Sequence, residues 1–184
     1  MIAPTTGTLL IAEPFLKDPN FMRTVVLMCR HNEEEGSFGF VLNKMYHQTL
    51  DELIPGLQGF EYPVYKGGPV QMDTLHYIHQ YPDLLPDCQK IGEEIYWGGD
   101  FEVLKDAIKS EIIEQDKIKF FLGYSGWGTG QLGDEITEKT WLTVGSTRKI
   151  IFETSLEEIW GASLLHLGGK YEMMMHFPTD PQLN

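Results

Sequence analysis

Basic residues are scarce in this chain. Three arginines, Arg23, Arg30 and Arg148, belong to a Lys plus Arg total of 14, set against 27 Asp and Glu, for a net charge of −13. Phosphate backbones are gripped mainly by clustered Lys and Arg, and no basic stripe is present. Lys105 and Lys109 stand one helical turn apart, but Glu102, Asp106 and Glu111 surround them. Direct nucleic-acid binding is therefore electrostatically disfavoured, although a local patch can coexist with a negative total. Cysteine is equally sparse: Cys29 sits inside an apolar run and Cys88 has no partner at a paired spacing. That pattern argues against a disulfide framework and for reduced thiols in a cytoplasmic protein. No apolar run approaches the roughly 18 to 20 residues of a membrane helix, so no membrane association is expected. The opening Met1-Ile2-Ala3-Pro4-Thr5-Thr6 lacks a basic region ahead of an apolar block, so no secretory signal is expected.

What is present is a chain of 184 residues with 42% hydrophobic content, the size and composition of one globular domain. No Pro- or Ser-rich linker divides it, so residues 1–184 read as a single domain, with 177–184 an extended C-terminal tail. Strands are expected at residues 7–12, 23–30, 37–43, 118–122 and 149–153, and short helices at 49–54 and starting at Asp134-Glu135. Phe101, Leu104, Ile108 and Ile112 recur at helical spacing behind Asp100, which is placed to act as N-cap. Ser155 is expected to cap a helix reaching His166, with Leu156, Ile159, Trp160 and Leu164 on one face. Strands interleave with helices, yet several neighbouring strands are joined by short turns. The mixture points to α+β with a mixed sheet rather than a regular doubly wound one.

The densest feature is Gly123-Tyr124-Ser125-Gly126-Trp127-Gly128-Thr129-Gly130-Gln131-Leu132. Glycine at that density marks positive φ or close backbone approach, so the segment is a tight corner or a site. As a site, backbone N–H groups at a helix start could hold a polar or anionic group, and Trp127 could offer a stacking face. As a corner, Trp127 is mostly buried and packs. The candidate ligand-binding residues are Gly126, Trp127, Gly128 and Gln131 here, joined by Asn43 at a strand end and Arg23. Asn43 reads equally as a turn residue, and Arg23 as an ion pair with Asp18.

Other constellations have plainer readings. Gly128-x-Gly130-x-x-Gly133 matches a dinucleotide fingerprint, but it lies far from a tight strand end and lacks surrounding βαβ units. No cofactor is expected. Ser125 falls short of a nucleophile elbow and has no histidine near it in sequence, leaving His166 or His176 to approach through the fold. No catalytic residue is assigned. His76 and His79 would point to opposite faces of a strand and make a poor metal pair, so no metal is expected. Met173-Met174-Met175 reads as core or subunit packing.

With these pieces in order, the chain resembles the YqgE/AlgH family of bacterial proteins. The resemblance rests on Gly7-x-Leu9-Leu10-Ile11-Ala12-x-Pro14 and Asp18-Pro19-Asn20-Phe21-x-Arg23-Thr24-Val25-Val26-Leu27. It continues through Gly39-Phe40-Val41-Leu42-Asn43, Gly67-Gly68-Pro69-Val70 and Gly123-Tyr124-Ser125-Gly126-Trp127-Gly128-x-Gly130-Gln131-Leu132-x-x-Glu135. It implies one α+β domain whose mixed sheet is strongly bent, approaching a pseudo-barrel, with helices flanking it. It transfers no catalytic residues, and some members bear the label of transcriptional regulator. Gly133 departs from the pattern, where an acidic residue is expected.

The leading functional expectation is a non-enzymatic module that binds a small ligand or a protein partner, in a regulatory role. The alternatives are a hydrolase or transferase using Ser125 or a histidine, and a transcriptional regulator acting on DNA directly. Self-association is left open.

Overall fold

The first apolar runs are buried on both faces, and period-two alternation sorts them into two cores. In β1 (Thr8–Ala12), Leu9 and Ile11 join one cluster while Leu10 and Ala12 join another. In β2 (Val25–Arg30), Val25, Leu27 and Cys29 go one way, Val26 and Met28 the other. The computed structural model describes residues 1–177, so the expected tail lies outside the described residues except for Phe177. Beyond β1 and β2 the strands are β3 (Ser37–Val41), β4 (Val64–Lys66), β5 (Val70–His79), β6 (Gln89–Gly92), β7 (Ile95–Trp97), β8 (Ile118–Trp127) and β9 (Trp141–Gly145). The helices are α1 (Leu50–Leu53), α2 (Phe101–Lys109), α3 (Gln131–Thr137) and α4 (Ile159–Leu167).

The strands run in the order β6-β7-β5-β8-β3-β2-β1-β9. All neighbours on that path are antiparallel, and β4 adds a parallel pairing to β8, so the sheet is mixed. The first half of β8 pairs with β4 and β5, its last three residues with β3. Gly123 is the joint between those halves, at φ 67, where a Cβ would lie 2.7 Å from the carbonyl oxygens of both Gly68 and Val70. Only glycine fits a backbone bent that way against two others. The sheet curls around this joint as the expected bent α+β fold.

Residues 123–127 are thus strand, not loop; the irregular segment is only 128–130, closed by Gly130 at φ 74 before α3. One face of the curled sheet packs on α4, where Trp160 Nε1 donates to the Ala12 carbonyl at 2.9 Å. The opposite face is covered by α3 through Leu132. A third cluster joins Phe120 and Tyr77 to α1 and α2.

Asp100 Oδ1 accepts from the N–H groups of Glu102 and Val103 at 2.9 and 3.1 Å, so the expected cap forms. Helix α2 stops at Lys109, however, and Ile112 lies beyond it at 52% exposure. Residues 149–153 are a wide helical turn rather than the expected strand. Ile150, Ile151 and Phe152 are all buried there, and an apolar run alone does not separate a buried strand from a buried turn. The expected helix from Ser155 begins only at Ile159; a turn in which the Ser155 carbonyl accepts from Glu158 and Ile159 leads into it. Ile159, Trp160 and Leu164 share the predicted buried face.

Candidate functional site

Strand order β7-β5-β8-β3 lays one aromatic from each strand side by side on the same face: Trp97, His76, Tyr124 and Phe38. Phe38 stands edge-on to Trp97 at 5.0 Å and to Tyr124 at 5.8 Å, and His76 stands perpendicular to Tyr124 at 6.1 Å. Gly126 is the β8 partner of Phe38, and its missing Cβ lets the Tyr124 ring close over the strand: a methyl there would sit 3.3 Å from that ring. These rings wall a hollow of about 520 Å³, with Arg30 and Glu35 at its rim. The Arg30 guanidinium lies 5.3 Å above the Phe38 ring and makes no ion pair among the described residues.

His76 is the odd member of this wall. Its Nε2 is sealed from solvent without a hydrogen-bond partner, and burial pushes its pKa below the ordinary 6.5. An uncharged imidazole therefore sits between aromatic faces at neutral pH. His79, on the opposite face of β5 as alternation requires, is fully satisfied: Nε2 donates to the Gly98 carbonyl at 2.8 Å and Nδ1 accepts from Tyr81 N–H at 3.1 Å. Its two bonds fix the tautomer and make it structural.

Five of the six residues named from sequence divide among three hollows, and Gln131 lines none of them. Gly126 and Trp127 border the aromatic one. Arg23 and Asn43 border another, of about 620 Å³, with Trp160, Leu165 and Met175, and with Glu157 and Glu158 at its edge. Gly128 borders a third, with Thr129, Leu132 and His31. Asn43 is committed to the backbone: Oδ1 accepts from Val25 N–H at 3.0 Å and Nδ2 donates to the Arg23 carbonyl at 2.9 Å. Arg23 adopts φ 51 and stacks its guanidinium 4.8 Å over Trp160 while donating to the Phe177 carbonyl. It does not pair with Asp18, whose Oδ1 accepts from Asn20 N–H at 2.8 Å.

Trp127 is 6% exposed and packs between Phe21 and Trp141, so packing is its role and it offers no open stacking face. Nor is the start of α3 an open anion cradle. Gln131 Oε1 already accepts the Gly128 N–H at 3.1 Å, and the helix is only seven residues long. The residue that organises this corner is Glu135. Its Oε2 accepts from both Trp127 Nε1 and Trp141 Nε1, at 2.8 and 2.7 Å, and Oε1 accepts from Gln131 Nε2 at 2.8 Å.

A profile of the AlgH-like family matches residues 9–172. The chain belongs to that family. A UPF0301 protein of Chlorobium limicola is 43% identical over 178 residues, covering 97% of this chain and 95% of the relative. Another from Cytophaga hutchinsonii is 40% identical over 181 residues, covering 98% and 99%. Among solved structures, the AlgH protein of Pseudomonas aeruginosa superposes with TM-score 0.74 at 30% identity, over 97% of each chain. A crystal structure of a protein from Corynebacterium diphtheriae gives TM-score 0.80 at 20% identity over 96% of this chain and 94% of that one, a likeness of fold.

In this AlgH-like chain Ser125 is fully buried, and its Oγ donates to the Gly67 carbonyl at 3.1 Å. The hydroxyl thus ties β8 to the Gly67 corner and is out of reach of a substrate. Among the described residues no three His, Cys, Asp or Glu side chains gather as metal ligands, and no helix is long and apolar enough to cross a membrane. The AlgH-like fold assembles its aromatic row from residues 38, 76, 97 and 124, which no local motif links. The detectable signal was an aromatic on each of four strands, and only the pairing register makes them neighbours.

Proposed function

We propose that this AlgH-like protein is a cytoplasmic ligand-binding module, and that the ligand is a small planar aromatic compound carrying one acidic group. The observation that carries the reading is the hollow walled by Phe38, His76, Trp97 and Tyr124, with the Arg30 guanidinium at its rim free of any ion pair among the described residues. A volume of about 520 Å³ falls within the range of small-molecule sites, apolar walls with few polar groups. Phe38, Trp97 and Tyr124 offer ring faces and edges, and Arg30 at the rim supplies the cation for an acidic group. A guanidinium suits a planar acid because its donors form a fixed fork.

A regulatory role follows in this reading from ligand occupancy rather than from DNA contact, since a net charge of −13 works against a polyphosphate. The test is isothermal titration with naphthalene-1-sulfonate. Saturable one-to-one binding is expected, weakened about tenfold or more in Trp97→Ala, in line with roughly 1.4 kcal/mol for a stacked ring. Equal affinity in wild type and Trp97→Ala would remove the site, and a change confined to Glu157→Ala would move it to the Arg23 hollow.

A further inference from the structure

A second feature stands apart from the aromatic row. Lys119 is the second residue of β8, and alternation turns it to the face that carries Phe121 and Tyr65. Its side chain is buried at 9% exposure, and it makes no ion pair among the described residues. Lys117, two residues earlier and half-buried, does pair with Glu114. Lys119 Nζ meets Tyr65, donating to Oη at 3.3 Å and lying 4.6 Å from the ring centroid. A buried ammonium without a carboxylate is costly, and such a group is held in its neutral form more readily than an exposed one.

Lys119 lines a hollow of about 260 Å³ between the start of β8 and residues 152–156. The titratable groups lining it are Tyr65 on β4 and Asp116 in the turn before β8; Gln115, Thr154 and Ser155 are neutral and polar. Tyr65 remains a neutral phenol, its pKa raised by burial. The cavity is smaller than ordinary drug-sized sites and suits a molecule of a few carbons.

We infer that Lys119 is a nucleophilic amine that captures small aldehydes or ketones in this hollow as an imine. The nitrogen lone pair forms a C–N bond with the carbonyl carbon as the C=O pair moves to oxygen, which takes a proton. That oxygen then departs as water and a C=N bond remains, so amine plus carbonyl gives imine plus water with no oxidant or reductant. The Tyr65 hydroxyl, already against Nζ, is placed to pass a proton to the departing oxygen. Activation of lysine by an apolar setting is a known physical route to such chemistry. Burial lowers the Lys119 pKa to about 8.

The experiment treats the full chain at pH 7.5 with limiting propanal and sodium cyanoborohydride, which fixes any imine as a propyl amine, and maps the adducts by peptide mass spectrometry. Against an ordinary lysine near 10.4, Lys119 holds about two hundredfold more free amine at that pH. Propylation of Lys119 is therefore expected at least tenfold ahead of exposed Lys17, Lys66 and Lys90, with the advantage collapsing at pH 10. In Lys119→Arg the leading lysine adduct disappears and the exposed lysines are unchanged. Lys119 left unmodified, or modified no faster than Lys17 at pH 7.5, would overturn the inference. The mapping on the unaltered chain needs no variant to fold.

Discussion

Replacing Glu135 with alanine removes the carboxylate on which two tryptophans converge. Trp127 and Trp141 are 6% and 1% exposed, and both indole N–H groups donate to the same oxygen. A buried donor left without its acceptor costs about 1–3 kcal/mol, toward the upper end when the acceptor is charged. Two such donors give a ceiling of about 6 kcal/mol. Glu135 itself is only half-buried, so water can enter the vacated space, and the expected loss is about 3 kcal/mol. For a chain of this size that lowers Tm by about 6–12 °C. Urea unfolding followed by tryptophan fluorescence measures it. Glu135→Gln keeps one acceptor oxygen but loses the charge, so about half the loss is expected. In a Trp127→Phe background one of the two orphaned donors no longer exists, and Glu135→Ala should cost about 1–2 kcal/mol less than in wild type. A Glu135→Ala protein within 1 kcal/mol of wild type would refute the reasoning, and with it the reading of Trp127 as a packed, hydrogen-bonded strut.

The glycines of the same region should respond with opposite signs. Gly123→Ala forces a methyl against two carbonyl oxygens at positive φ and should cost about 2–5 kcal/mol. Gly133, inside α3 with open space where a Cβ would stand, should gain about 0.5–1 kcal/mol on becoming alanine. Equal effects in a urea melt would contradict the assignment of Gly123 as the bend. Burial holds both His76 and His79 below the ordinary 6.5. The unfolded chain therefore takes up protons first as pH falls, so stability is complete above 6.5 and is lost as pH drops below it toward the folded values. NMR titration of the two imidazoles should give midpoints under 6.5, and a midpoint at or above that value would reverse the sign.

Much of the scaffold was legible because local chemistry and tertiary structure agree there. Leu9 to Ala12 and Val25 to Met28 are apolar on successive positions because both sheet faces are covered, and Asp100 ahead of Phe101 is a cap wherever that helix packs. The readings that failed involve residues whose role depends on distant partners. Gly123 and Gly126 look like loop glycines, yet one bends a strand past Gly68 and the other makes room for the Tyr124 ring. Ile150, Ile151 and Phe152 are buried in sequence whether they form strand or turn. Trp141–Gly145 could not be read as the edge strand β9 without knowing that it pairs with β1. Asn43 and Arg23 do come together, but to pin backbone and stack on Trp160 respectively. The aromatic row needed the strand order itself, and no spacing along the chain encodes that.

The central proposal is that the hollow walled by Phe38, His76, Trp97 and Tyr124 receives a flat acidic compound. Its most direct measurement is an NMR titration of the ¹⁵N-labelled protein with naphthalene-1-sulfonate, reading the His76 ring nitrogens and the Trp97 indole N–H together. Saturable, concerted shifts at those two groups, with the Trp160 indole unmoved, are the predicted result. Shifts centred on Trp160, or none at any concentration, would contradict it.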